Sequence, residues 1–136
     1  MFITLLSPGM TVLSPGVLEL HKLIANALVL YFALLGVWGV FIGVRRAGPS
    51  PAFRGALFIG VALGVVQALV GSVLVAADLR PGDNLHYLYG ASLIVTVPLV
   101  GSYIADKKFS RPLAYGLASL FMAGLAIRAI TTGGSG

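Results

Sequence analysis

The sequence predicts an all-α protein, an integral membrane, antiparallel four-helix bundle. Of its 136 residues, 58% are hydrophobic and only 10% are charged, with a mean hydropathy of +1.00. So few polar groups cannot coat a water-soluble globule of this size. Four apolar stretches are long enough to span a bilayer, and the connections between them are short, which forces neighbouring helices to run antiparallel. A bundle of this kind pairs its backbone groups within each helix in lipid. We expect one domain over residues 1–136.

The first helix is predicted over residues 15–44. No charged residue occurs from position 23 to position 44, and Ser14-Pro15 provides an N-cap followed by a first-turn proline. The preceding residues, 1–14, carry no basic group and are interrupted by Pro8. We therefore expect them to form an interfacial N-terminal arm and not a cleaved signal.

The other three helices follow from the same signals. The second is predicted over residues 55–77, a stretch without charge. The third begins after Asp83-Asn84, two residues suited to helix caps, and covers residues 85–105. The fourth begins at Pro112 and covers residues 112–131. Together they complete an up-down-up-down bundle.

The charged residues predict which side of the membrane each connection faces. The first and third connections contain six basic residues, namely Arg45, Arg46, Arg54, Lys107, Lys108 and Arg111. The opposite side has three, Lys22, Arg80 and Arg128, beside Glu19, Asp78 and Asp83. The positive-inside rule then places both termini outside the cell membrane. The chain has a net charge of +5. Because its basic residues lie between membrane spans, we expect it to interact with membrane lipid and not with nucleic acid.

The two histidines of the chain occupy matched positions. "HKLIA" begins at His21 and "HYLYG" begins at His86, and each histidine is followed four residues later by a small residue, Ala25 or Gly90. The first and third helices run parallel in the predicted bundle, so both imidazoles enter the membrane from the same face. Residues i and i+4 share a helix face, so Ala25 and Gly90 leave room beside each imidazole. This arrangement suits a haem iron held between His21 and His86.

The alternative is that each histidine is an interfacial polar residue whose partners are lipid headgroups or a backbone carbonyl. Ionisable groups inside a span are functional hypotheses by default, and two matched ones favour haem. Two histidines provide one such site per chain. The chain has no cysteine, which excludes disulfides, thiolate metal sites and a cysteine nucleophile.

Three basic residues on the side of the histidines are candidates to bind the haem propionates. They are Lys22, Arg80 and Arg128. Arg128 lies inside the fourth helix, about one turn before its end, and the alternative for it is simple snorkelling to the interface.

Small residues predict close helix packing in two helices. The second helix has a stripe at four-residue spacing, Ala56, Gly60, Gly64, Ala68, Ser72 and Ala76, and the first helix contains Gly39-x-x-x-Gly43. Gln67 lies near the middle of the second helix, where its amide can form a hydrogen bond to a neighbouring helix.

Three segments together resemble the heme A synthase family. They are "ELHKLIANALVLYFALLGVWG", "QALVGSVLVAADLRPGDNLHYLYGASLIV" and "GLAIRAITTGGSG". The family has a histidine followed by a basic residue at a helix start, a Gln-x-x-x-Gly helix, a second His helix and a helix that ends in Arg-x-Thr-Gly. Its members contain two similar four-helix halves, so residues 19–134 resemble one half, as in compact single-bundle variants.

The resemblance assigns roles to particular residues. His21 and His86 match the haem ligands, and Arg128 matches the arginine that closes the first helix of a half. The family carries a Glu three residues before its first histidine, a candidate for the oxidation chemistry. Here Glu19 lies two residues before His21, about 200° around the helix from it, and it is the candidate catalytic residue that the resemblance offers. The Arg-bearing helix also comes last here, and the cysteine-containing outer loop of many members is missing.

The resemblance implies an oxidoreductase that converts the methyl group of heme O to the formyl of heme A for terminal oxidase assembly. Its cofactors are then haem B, or heme O and heme A as substrate and product, with heme O synthase or a respiratory complex as a possible partner. A homo-oligomer would bring two histidine pairs together, as in the full-length enzymes. The alternative function is a small bis-histidine b-type cytochrome or haem carrier without synthase activity, and a third is a haem-free membrane scaffold.

Overall fold

The structure is a computed structural model that describes the backbone of residues 8–48, 50–106, 108 and 110–133, with side chains from residue 16 onward. The described chain forms four helices and no strand: α1 (Pro8–Val44), α2 (Pro51–Ala76), α3 (Leu85–Ile104) and α4 (Arg111–Gly133). All four contain a stretch long and apolar enough to cross a membrane. The predicted all-α membrane bundle is confirmed.

The first two helices begin earlier than the sequence predicts. Helix α1 starts at Pro8, so residues 8–14 of the expected N-terminal arm are helical, while residues 1–7 and Lys107 lie outside the described residues. The reason is that Leu-Ser-Pro-Gly occurs twice, and Pro8 has the same first-turn preference as Pro15. Helix α2 starts at Pro51 and not at residue 55 because the Ser50 side chain caps it by accepting a hydrogen bond from the Phe53 N–H at 3.1 Å.

The later helices lie close to their predicted positions. Helix α3 ends one residue early, and α4 extends by one residue at its start and two at its end. The last turn of α4 contains Thr131 and Thr132, whose hydroxyls donate to the Arg128 carbonyl at 2.9 and 2.8 Å. Helix α4 therefore reaches the level at which α3 begins.

Helices α1 and α2 end in the same way, with a residue in the left-handed backbone region. Arg46 has φ 57° and Asp78 has φ 64°. After each, the chain folds back on the last helical turn; in the second case the Leu79 N–H donates to the Leu74 carbonyl at 2.8 Å. This Schellman geometry pairs carbonyls that a helix end leaves free, and it reverses the chain within a few residues.

The α1–α4 interface is the closest helix contact in the bundle. Three glycines of α1 face α4, and a Cβ atom on Gly39 would lie 2.6 Å from the Cα of Gly116. On either side, Gly36 faces Leu120 and Gly43 faces Leu113. The Gly39-x-x-x-Gly43 pair thus mediates packing, as its sequence predicts. In α2, Gly60 of the small-residue stripe packs in the same manner against the ring of Phe32.

The buried core lies between these helices and is small. Its largest fully buried side chains are Phe32, Phe53, Leu28 and Met122. Many large apolar residues face outward instead, among them Leu23, Leu34, Phe58 and Leu99. An apolar outer surface is what a bundle surrounded by lipid requires. Helices α2 and α3 make far fewer contacts with each other than the other neighbouring pairs do.

Candidate haem site

The two histidines meet inside one end of the bundle. His21 lies on α1 and His86 lies in the first turn of α3, and both side chains are half-buried. Their ring centroids are 6.0 Å apart, and the ring planes are inclined by 63°. The predicted pair is therefore a spatial pair that joins two parallel helices.

His86 is held by the end of α4. Its Nδ1 lies 2.7 Å from the backbone carbonyl of Ala129. Because a carbonyl only accepts, this hydrogen bond places the ring proton on Nδ1 and leaves Nε2 with a free lone pair. The loop before α3 is fixed to the same helix end, since the Asp83 N–H donates to the Thr132 carbonyl at 3.1 Å. The ring is thus oriented as metal-binding histidines are, with the other nitrogen bonded to an acceptor.

His21 is held by α2. The Gln67 side chain donates from Nε2 to the His21 carbonyl at 2.7 Å, the interhelical bond that its position predicts. Within the described part of the chain, His21 Nδ1 and Gln67 Oε1 are both buried without a hydrogen-bond partner. A ring nitrogen that can carry a proton and an amide oxygen that only accepts are chemically complementary. A proton on His21 Nδ1 would leave its Nε2 with a free lone pair, as in His86.

Glycines make space for both rings. A Cβ on Gly133 would lie 2.7 Å from His86 Nδ1, and a Cβ on Gly71 would lie 3.2 Å from His21 Cε1. Each histidine therefore packs against a backbone that cannot carry a side chain without displacing it. Gly90 differs, because a Cβ there would meet no atom within 4 Å. The space beside His86 that the sequence predicts at Gly90 is open, and Ala25 is half-buried beside His21 on α1.

The donor set fits a haem better than a bare metal ion. Two imidazoles that bind one metal at about 2 Å each bring their ring centroids about 6 Å apart, which matches the observed separation. The described residues contain no group of three or more His, Asp or Glu side chains that could hold an ion by themselves. A porphyrin supplies the in-plane nitrogens and needs only two axial ligands from the protein.

The propionate candidates lie at the same end of the bundle, and all three are exposed. Arg128 stacks on the ring of Tyr89, with its Cζ 5.6 Å from the ring centroid. Arg80 is paired with Asp78 at 3.4 Å. Lys22 follows His21 directly in α1. Arg128 and Arg80 thus have protein partners near the helix ends. Propionate binding stays a prediction for all three residues, and snorkelling stays the alternative for Arg128.

Glu19 is exposed on α1. Two residues along a helix differ by about 200°, so its side chain leaves the helix on the side away from the half-buried His21. The structure does not bring Glu19 and the histidine pair onto one face, and its catalytic role stays a prediction.

Some residues at this site were not assigned a role from the sequence alone. Gly71, Gly133 and the Ala129 carbonyl all touch a histidine ring. All three lie in segments that carried the resemblance. Gln67-x-x-x-Gly71 contacts His21, and Ala129 and Gly133 of the ending that follows Arg128 contact His86. The motifs were therefore a usable signal for these glycines.

Comparison of the chain with protein-family models, with curated proteins and with solved structures finds no match.

Proposed function

We propose that this chain is a membrane haem protein of the heme A synthase type, with the iron bound between His21 and His86. The observation that carries the proposal is the 6.0 Å separation of two half-buried imidazoles on parallel helices. The proposed reaction is oxidation of the heme O methyl group to the formyl of heme A, for terminal oxidase assembly. Bound haem would supply the redox chemistry.

The protein's own contribution would be to bind and orient. The Ala129 carbonyl fixes the tautomer of His86, and Gln67 holds the backbone at His21. Gly90 leaves space for the macrocycle, while Lys22, Arg80 and Arg128 offer positive charge where the propionates would reach water.

The enzymatic part of the proposal is supported by the convergence of the motifs. The "HK", Gln-x-x-x-Gly, "HYLYG" and Arg-x-x-Thr-Thr-Gly segments are far apart in sequence, yet all four have residues at the histidine pair. Glu19 is the proposed catalytic group by resemblance only.

A second candidate function is a b-type cytochrome or haem carrier. One observation favours it: the chain has one histidine pair, whereas oxidation of a haem substituent requires an electron acceptor beside the substrate. For the enzyme we therefore propose association of two or more copies, with heme O synthase or a respiratory complex as further partners.

Pigment analysis combined with a conversion assay separates these functions. The chain is purified in mild detergent, its haem is extracted and identified, and heme O is then supplied to the pure protein. We expect bound heme O or heme A and conversion of heme O to heme A. Haem B alone without conversion would favour the cytochrome, and absence of haem after expression with excess haem would refute both.

We further propose that the bundle lies in the cell membrane with both termini outside. The support is the excess of basic residues in the first and third connections. Single cysteines at Ser50 and Gly82 test this, since the chain has none of its own. An impermeant thiol reagent applied to intact cells should label only the cysteine at 82, and labelling of only the cysteine at 50 would reverse the orientation.

A further inference from the structure

A cavity lies at the end of the bundle away from the histidines. It is an open groove of about 500 Å³ between α2 and α3, bordered by the start of α4. Its walls are mainly apolar, with Leu57 and Phe58 on α2 and Val97 and Pro98 on α3. Phe58 is largely exposed, so the groove is continuous with the lipid-facing surface. We call it the α2–α3 groove.

Two arginines border the groove. Arg54 lies in the first turn of α2 and Arg111 is the first residue of α4. Arg111 donates one N–H to the Ala105 carbonyl at 3.3 Å, which leaves most of its donors available. No ion pair engages either arginine within the described ranges. The groove therefore carries two positive charges at its polar end and apolar walls along its length.

The position of these arginines is not explained by helix stability. Cations at a helix N-terminus oppose the helix dipole, and neither first turn contains an acidic residue to compensate. An anion bound between Arg54 and Arg111 would offset the unfavourable interaction of these two cations with the helix dipoles.

Gly101 keeps the groove open near its polar end. A Cβ at this position would lie 2.8 Å from the hydroxyl oxygen of Tyr115, which also lines the groove. Tyr115 is one helical turn after Arg111, so its hydroxyl and the guanidinium share a face of α4. The polar end thus combines two guanidinium groups with one hydroxyl.

We infer that the α2–α3 groove is a binding site for an anionic phospholipid. The phosphate would lie between Arg54 and Arg111, and an acyl chain would follow the apolar walls toward the middle of the membrane. Basic pockets between transmembrane helices bind acidic lipids in this way. A zwitterionic lipid brings its own cation to the arginines and is a poorer match. The inference does not depend on haem.

Native mass spectrometry of the full chain in mild detergent tests this site. The protein is mixed with equal amounts of phosphatidylglycerol and phosphatidylcholine, and the lipids retained are counted. Wild type should retain phosphatidylglycerol preferentially. The Arg54→Gln/Arg111→Gln variant should bind it roughly 30-fold more weakly, because each basic residue contributes to anionic-lipid binding.

The matched control is Arg45→Gln/Lys108→Gln, which removes two charges at the same end of the bundle but outside the groove. This control variant should still retain phosphatidylglycerol in preference to phosphatidylcholine. A Val61→Trp variant, which fills the apolar part of the groove and leaves both arginines, should lower retention as well. Equal retention of the two lipids by wild type, or equal losses in the two charge variants, would overturn the inference. A dimer that disappears only in the Arg54/Arg111 variant, without a change in lipid retention, would assign the groove to a second copy and overturn it too.

Discussion

The α1–α4 interface and the α2–α3 groove are the two extremes of packing in this bundle. The first brings backbones together at Gly39 and Gly116, whereas α2 and α3 scarcely touch and leave an open cavity. Without a hydrophobic effect between helices in lipid, close contact needs small residues on both sides. Helices α1 and α4 meet this requirement, so they form the rigid frame. Helix α2 packs on α1 and helix α3 packs on α4, and the two leave the groove between them.

The difference in packing also bears on where the two candidate sites lie. The histidine pair links α1 with α3. The His86 ring is held by α4, and the backbone at His21 is held by α2. The frame positions α1 and α4 relative to each other, while the groove between α2 and α3 provides open volume at the end away from the histidines. Substitutions in the frame should change the free energy of unfolding, and substitutions in open space should change the binding of haem or lipid.

The largest effect is expected from Gly116→Ala. The new Cβ would lie 2.5 Å from the Val40 nitrogen, and backbone cannot move aside as a side chain can. We expect a loss of about 3 kcal/mol in the free energy of unfolding. Unfolding in detergent, followed by the fluorescence of Trp38, measures it. Gly124→Ala is the control on the same helix, since a Cβ there meets nothing within 4 Å. Equal stability of the two variants would show that α1–α4 packing is not the frame.

A large side chain at Gly90 should lower the haem affinity and leave the free energy of unfolding unchanged. Gly90→Leu places a side chain in space that is empty of protein atoms. Filling the volume that a macrocycle needs should cost about 1–3 kcal/mol, about ten- to hundredfold in haem affinity. Haem titration of the protein measures the affinity, and the unfolding curve should stay that of wild type. Gly124→Leu, at an equally open position on α4, should leave haem affinity unchanged. Full haem affinity in Gly90→Leu would place the haem elsewhere.

The smallest effect is expected at the contact between α2 and His21. Gln67→Leu removes the interhelical hydrogen bond to the His21 carbonyl and should lower the free energy of unfolding by about 0.6 kcal/mol. Ser72→Ala is the control, because the Ser72 hydroxyl bonds within α2 to the Ala68 carbonyl. Equal free energies of unfolding in the two variants would show that Gln67 contributes nothing specific to the position of His21.

Much of the fold follows from the sequence because hydrophobic length and short connections determine a membrane bundle. The predicted start of α1 was wrong because two Leu-Ser-Pro-Gly segments give the same first-turn signal, and the helix begins at the first of them. The pairing of His21 with His86 followed from topology, since helices α1 and α3 must run parallel. The Ala129 carbonyl could not be predicted, because every residue has a carbonyl and only the register of α3 against α4 selects this one.

The measurement that tests the central claim most directly is the absorption spectrum of the purified protein and of two variants, His21→Ala and His86→Ala. We predict a low-spin, bis-imidazole haem spectrum in the wild type, and its loss or conversion to a five-coordinate form in each variant. Added imidazole should restore the low-spin spectrum by occupying the vacated position. Unfolding curves followed by Trp38 fluorescence confirm that both variants are folded. A low-spin spectrum that is unchanged in both folded variants would contradict a haem bound between His21 and His86.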